Sequence, residues 1–164
     1  MIEDLTLRKA IQLAITTEQL GAEYYSQMQR KFSDQQNLNE IFTQLVKDEK
    51  LHEAQFKAIL QHVPEDKPED QQYELYQYLR ATAISQFFRK DYFKNSESIK
   101  SADEALGRAL GFEKATLQFY EAIREILGKS GDLEKIIKTE RSHVVTLMKV
   151  IVSDAKFRSL SDNW

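Results

Sequence analysis

The chain has 164 residues, of which 41% are hydrophobic and 30% charged, and a formal net charge of -3. That is enough for one domain with a core, residues 1–164, and it offers no basic surface for nucleic acid or an anionic membrane. The absence of cysteine excludes disulfides, thiolate metal sites, iron–sulfur clusters and thiol catalysis.

No apolar run approaches the roughly 18 residues of a membrane span. The N-terminal MIEDLTLRK lacks the basic start and apolar block of a signal peptide, and the absence of cysteine fits the cytoplasmic location expected here. With five Gly and two Pro, long stretches rich in Glu, Gln, Lys, Leu and Ala predict an all-α fold.

Four long helices are predicted. The first runs from about Leu5 to Arg30, capped by Asp4 or Thr6. The second runs from about Gln36 to Gln61, after the break FSDQQN. A long crossover follows, His62 to Lys100, which begins with PEDKPED and contains a short helical pattern from about Gln71 to Phe88. Its aromatic stripe, Tyr73, Tyr76, Leu79, Phe87 and Phe88, is expected to cover the bundle or a partner subunit. The third long helix runs from about Asp103 to Leu127, with Ser101 and Glu104 as a capping box and Gly128 as its stop. The fourth runs from about Leu133 to Ser153, capped by Asp132. Short turns make each pair antiparallel, and the long crossover returns the chain to the far end of the bundle.

The two halves repeat. Shifting the first helix by 95 positions aligns Ala10 with Ala105, Ala14 with Ala109, Glu18 with Glu113 and Tyr25 with Tyr120. Shifting the second by 91 aligns Leu45 with Ile136, Glu49 with Glu140, His52 with His143 and Phe56 with Leu147.

Each long helix carries one acid inside its apolar stripe. The stripes read Ile11, Ala14, Glu18, Ala22, Tyr25; then Leu45, Glu49, His52, Phe56; then Leu106, Ala109, Glu113, Leu117, Tyr120; then Leu133, Ile136, Glu140, His143, Leu147. Residues three apart share a helix face, so Glu49 points inward with His52, and Glu140 with His143. By rise per residue Glu18 and Glu49 lie level about their turn, whereas Glu140 lies nearer its turn than Glu113.

Four converging buried carboxylates repel unless countercharge is supplied. Two divalent cations supply it, and the two imidazoles complete the sites. Mixed carboxylate and imidazole ligation suits iron, manganese or zinc better than calcium or magnesium. One Glu from each of two helices with Glu-x-x-His from the other two is the known ligand pattern of di-iron carboxylate bundles. A single Glu-x-x-His means little, but two at equivalent repeat positions, with two further equivalent acids, make chance a poor account.

Other residues read more plainly. Tyr25 and Tyr120 fit either as core aromatics or as phenols that bond a ligand carboxylate or move an electron and a proton. Asp48, between Lys47 and Lys50, reads as a solvated acid rather than the orienting partner of a ligand His. His62 favours a helix C-terminus. Glu23, Glu53, Glu121 and Glu125 read as solvated.

The segments AITTEQLGAEYY, DEKLH, ALGFEKATLQFY and TERSH resemble the rubrerythrin branch of the ferritin-like superfamily, and the resemblance covers nearly the whole chain. It implies a ferritin-like four-helix bundle of two antiparallel helix pairs, joined by a long crossover containing a short helix, around a non-haem di-iron centre. It implies that Glu18, Glu49, His52, Glu113, Glu140 and His143 are the metal ligands, with Glu49 and Glu140 bridging. It implies two iron ions as cofactor, and often a homodimer, sometimes with helices exchanged between subunits.

Two departures matter. Typical members carry a rubredoxin-like domain with a four-Cys iron; this chain has no Cys, so electrons are expected from a separate donor protein. Typical members also place an extra carboxylate three residues after the third-helix Glu, where this chain has Thr116, which leaves the family's peroxide reduction in question. The expected function is reduction of peroxide or dioxygen at the dinuclear site. The alternatives are oxidation and handling of iron(II), or a structural bundle without metal.

Overall fold

The computed structural model describes residues 5–65, 74–83 and 93–161, with side chains to 154. The chain order is α1 (Leu7–Lys31), α2 (Gln36–His62), α3 (Glu74–Ala83), a 3₁₀ turn (Ser96–Ser98), α4 (Ala102–Leu127) and α5 (Gly131–Ser161). No strand occurs among the described residues.

The helix ends follow local chemistry. Thr6 caps α1, its hydroxyl accepting from the Lys9 N–H at 3.2 Å. α2 ends just before Pro64, with Val63 extended at φ -81°, as the residue before a proline prefers. Its last carbonyls are met by α1: the Arg8 guanidinium donates to Val63 O at 2.5 Å and Leu60 O at 3.3 Å. Ser101 caps α4 by accepting from the Glu104 N–H at 3.2 Å, but the capping box is only half formed, because Glu104 turns its carboxylate to Arg108 at 2.8 Å. Gly128, at φ +80°, stops α4 in a conformation that suits glycine.

α5 departs from its sequence-predicted limits at both ends. It begins at Gly131, with the Ser130 carbonyl accepting the Glu134 N–H at 2.9 Å, so Asp132 lies in the first turn rather than at the cap. It also continues to Ser161.

α1 packs along α2 and α4 along α5, and the pairs meet through α1 on α4 and α2 on α5, the arrangement of a ferritin-like bundle. The interior has three layers. At one end Ala10, Ile11, Phe56, Phe119, Ile123 and Ile136 form an apolar cluster, to which Tyr76 and Leu79 of α3 belong. At the other end Tyr24, Met28, Phe42, Leu106, Phe112 and Leu147 form a second. Full burial of a Leu- or Phe-sized side chain contributes roughly 1.5–3 kcal/mol, so these layers can carry a costly polar layer between them.

The crossover spans this length. α3 covers the first cluster, where Tyr76 and Leu79 are buried; Tyr73, Phe87 and Phe88 of the expected stripe lie outside the described residues. The 3₁₀ turn is tied to α1 at the other end, where Ser96 Oγ donates to Gln27 at 2.7 Å and Lys31 Nζ donates to Glu97 O at 2.8 Å.

Candidate metal centre

The polar layer is made by one turn from each long helix. Glu18, Glu49, His52, Glu113 and Glu140 are each at most 1% exposed, and His143 is 6% exposed. Their ligand atoms form two overlapping groups: Glu18, Glu49, His52 and Glu140, and Glu49, Glu113, Glu140 and His143. Within each group the atoms lie within 4.8 Å of one another, and Glu49 and Glu140 belong to both. Glu113 and Glu140 meet despite their unequal distance from the turn. The three non-helical residues 128–130 absorb the offset, since extended chain advances about 3.3 Å per residue against about 1.5 Å in a helix.

Each phenol bonds the acid of the other repeat. Tyr25 of α1 donates to Glu113 of α4, and Tyr120 of α4 donates to Glu18 of α1. Burial, then the Glu113 carboxylate, pushes Tyr25 well above its ordinary value; burial, then Glu18, does the same to Tyr120. Both therefore hold their protons.

The histidines are held unequally. His52 Nδ1 lies 2.9 Å from Glu140 Oε1 and 3.6 Å from Glu18 Oε2, but with poor hydrogen-bond alignment. His143 Nδ1 lies 3.1 Å from Glu113 Oε2, while its Nε2 lies 3.0 Å from Asp48 Oδ2. Asp48 is thus not the freely solvated acid expected from its lysine neighbours: its side chain is 20% exposed and bonds a candidate ligand. Burial opposes its charge, but the His143 and Gln44 hydrogen bonds outweigh this and hold its carboxyl below the usual value. The other flanking acids stay outside the layer, with Glu53 on Lys57 at 2.5 Å and Glu121 on Arg141 at 2.5 Å. His62 lies exposed at the end of α2, its Nδ1 3.0 Å from Ala58 O.

Without countercharge the layer is strained electrostatically. Burial, then the neighbouring carboxylates, pushes Glu49 and Glu140 well above the ordinary 4.5. Burial depresses His52 and His143, but the carboxylates beside them win and lift them to about 10 and about 11. Glu18 Oε2, both Glu49 oxygens, His52 Nδ1 and Glu140 Oε1 are buried with no hydrogen-bond partner. Natively buried polar atoms are seldom left so. Several such atoms facing one another, all of them good donors to a cation, fit a metal site.

Two small residues shape this layer. A Cβ at Gly21 would run into the Glu49 carboxylate and sit 2.9 Å from Phe112 Cε1. Thr116 Oγ1 lies 3.1 Å from Glu140 Oε2 and 3.0 Å from its own helix's Glu113 O. A groove of about 1030 Å³ between α2 and α5, lined by Gln44, Leu45, Thr146 and Val150, reaches the layer at Asp48 and His143. No helix among the described residues is long and apolar enough to cross a membrane.

Comparison with curated proteins and with solved structures gives no match. The family model described as Rubrerythrin matches residues 9–151, which hold all four long-helix acids and both histidines, and the chain belongs to the rubrerythrin family.

Proposed function

We propose that this is a non-haem di-iron protein in which Glu18, Glu49, His52, Glu113, Glu140 and His143 hold two iron ions and which reduces peroxide or dioxygen with electrons from a separate donor protein. The observation that carries this reading is the pair of overlapping ligand groups sharing Glu49 and Glu140, with five of their buried atoms unpartnered. When bound, the iron pair supplies electrons to the oxidant by cycling between the ferrous and ferric states.

The chain's own residues do the rest. The two apolar layers close the centre off along the bundle, so charge there is less screened than in water, and the groove at Asp48 and His143 is its open side. Tyr25 and Tyr120 hold their protons at Oη against Glu113 and Glu18 and so fix those carboxylates. Asp48 holds the Nε2 proton of His143, leaving Nδ1 to face the centre. Mixing the reduced, iron-loaded protein with peroxide in a stopped-flow spectrometer tests the reading. A ferric absorption change supports it; no change removes it.

Iron oxidation and sequestration is the second reading. It is favoured by the acids Glu40, Asp48 and Asp154 along the groove that reaches the centre. Iron uptake beyond two ions per chain would select it. A homodimer fits either reading: Val145, Met148 and Val152 form an apolar stripe on α5, exposed by 51%, 38% and 41%.

A further inference from the structure

The internal repeat gives each residue near the centre a counterpart in the other half, and at two positions the counterparts differ in chemistry. The 91-residue shift sets Asp48 against Thr139. Asp48 accepts from His143 Nε2 at 3.0 Å, whereas Thr139 donates its hydroxyl to Lys135 O on its own helix at 3.0 Å. Among the described residues no carboxylate stands within ion-pair reach of His52 Nε2.

The 95-residue shift sets Thr116 against Gly21. Thr116 Oγ1 lies 3.1 Å from Glu140 Oε2, the oxygen that faces His143. Gly21 offers no group to Glu49, and both Glu49 oxygens lack a hydrogen-bond partner. Both differences favour the same side. On the Glu113–His143 side the imidazole is held from outside by Asp48, and Thr116 holds the Glu140 oxygen that faces it. On the Glu18–His52 side the imidazole has no such carboxylate behind it, and the Glu140 oxygen facing His52 has no hydrogen-bond partner.

We infer that the two metal positions are inequivalent, with the Glu113–His143 position preorganised to bind the first ion tightly and the Glu18–His52 position binding the second more weakly and exchanging it faster. This rests on the ligand set proposed above. Asp48 and Thr116 act through other residues and are positioning residues. A carboxylate behind a ligand histidine fixes its orientation and raises its basicity, and loss of such partners typically costs about 10–100-fold in affinity.

The test is titration of the metal-stripped full chain with cobalt(II), followed by calorimetry and visible absorption. The wild type is expected to bind two ions in steps separated at least about tenfold. Asp48→Asn is expected to weaken the first step about tenfold or more and to leave the second nearly unchanged, so that the steps merge. Thr116→Val gives an independent arm with the same direction and a smaller effect. Circular dichroism melts confirm that each variant is folded.

Two ions binding with equal affinity in the wild type would overturn the inequivalence and leave the ligand set standing. So would Asp48→Asn weakening both steps alike. Failure of the wild type to bind any ion would overturn both readings.

Discussion

His143 bridges two carboxylates on different helices: its Nε2 donates to Asp48 of α2 at 3.0 Å, and its Nδ1 lies 3.1 Å from Glu113 of α4. The ring is thereby fixed from both edges. In the zinc-loaded, diamagnetic protein His143 is expected to carry its proton on Nε2, protected from solvent exchange. A nitrogen-resolved NMR spectrum of the histidine rings reads this directly, and Asp48→Ala should speed exchange of that proton or abolish its signal. A ring protonated on Nδ1 instead would rule out this orientation.

Stability of the metal-free protein should depend on pH. His52 and His143 are raised from 6.5 to about 10 and about 11, and Glu49 and Glu140 are raised well above 4.5. A raised group stabilises the fold below its unfolded value, and that stability is lost as pH rises through the folded value. Asp48 and Glu113 are lowered, Asp48 by its hydrogen bonds and Glu113 by His143, each against burial. Their contribution is present above the ordinary carboxylate range and is lost only on acidification through the depressed values. From about pH 7 to about pH 10 the raised groups alone are changing, so the melting temperature of stripped protein should fall across that window. If metal binds through these atoms, as proposed, the loaded protein should show a flatter profile.

The tyrosine hydroxyls can be weighed by truncation. Tyr25→Phe removes the donor to Glu113, and Tyr120→Phe the donor to Glu18. Leaving a buried carboxylate oxygen without its donor should cost about 1–3 kcal/mol in denaturant unfolding. A core aromatic whose hydroxyl made no buried hydrogen bond would lose clearly less on the same change.

Gly21→Ala sets two effects against each other. Alanine gains about 1 kcal/mol of helix propensity. Its Cβ collides with the Glu49 carboxylate and approaches Phe112, and overpacking typically costs about 1–3 kcal/mol. The fold should survive, because Glu49 is the flexible end of a side chain. Metal content should fall, because Glu49 belongs to both ligand groups. Elemental analysis beside a thermal melt separates the two.

The fold and the six inward residues were legible because helix period and internal repeat constrain each other. An acid in an apolar stripe is ambiguous once, but not at four equivalent positions. Asp48 was misread because its neighbours in sequence are lysines, while its partner is His143, on another helix. The repeat held a usable signal: Thr139 stands where a second solvated acid would be expected. Gly21 gave no sequence signal of its own, since close approach of Glu49 and Phe112 depends on how three helices pack. The cap of α5 was misplaced because Asp132 is a good cap by type, while the backbone enters the helix two residues earlier, at Gly131 rather than Leu133.

The α5 stripe can be tested without touching the centre. If Val145, Met148 and Val152 meet a second copy, Val145→Glu with Met148→Glu should halve the mass seen by light scattering while leaving the metal content of the chain unchanged. An unchanged mass would place any dimer contact elsewhere.

The ligand set is tested most directly by iron titration of the stripped protein with elemental analysis, in the wild type and in Glu49→Ala and Glu140→Ala. Two ions per wild-type chain are expected. Either substitution should reduce that number, because each residue belongs to both ligand groups. Iron content unchanged by both substitutions would contradict the account.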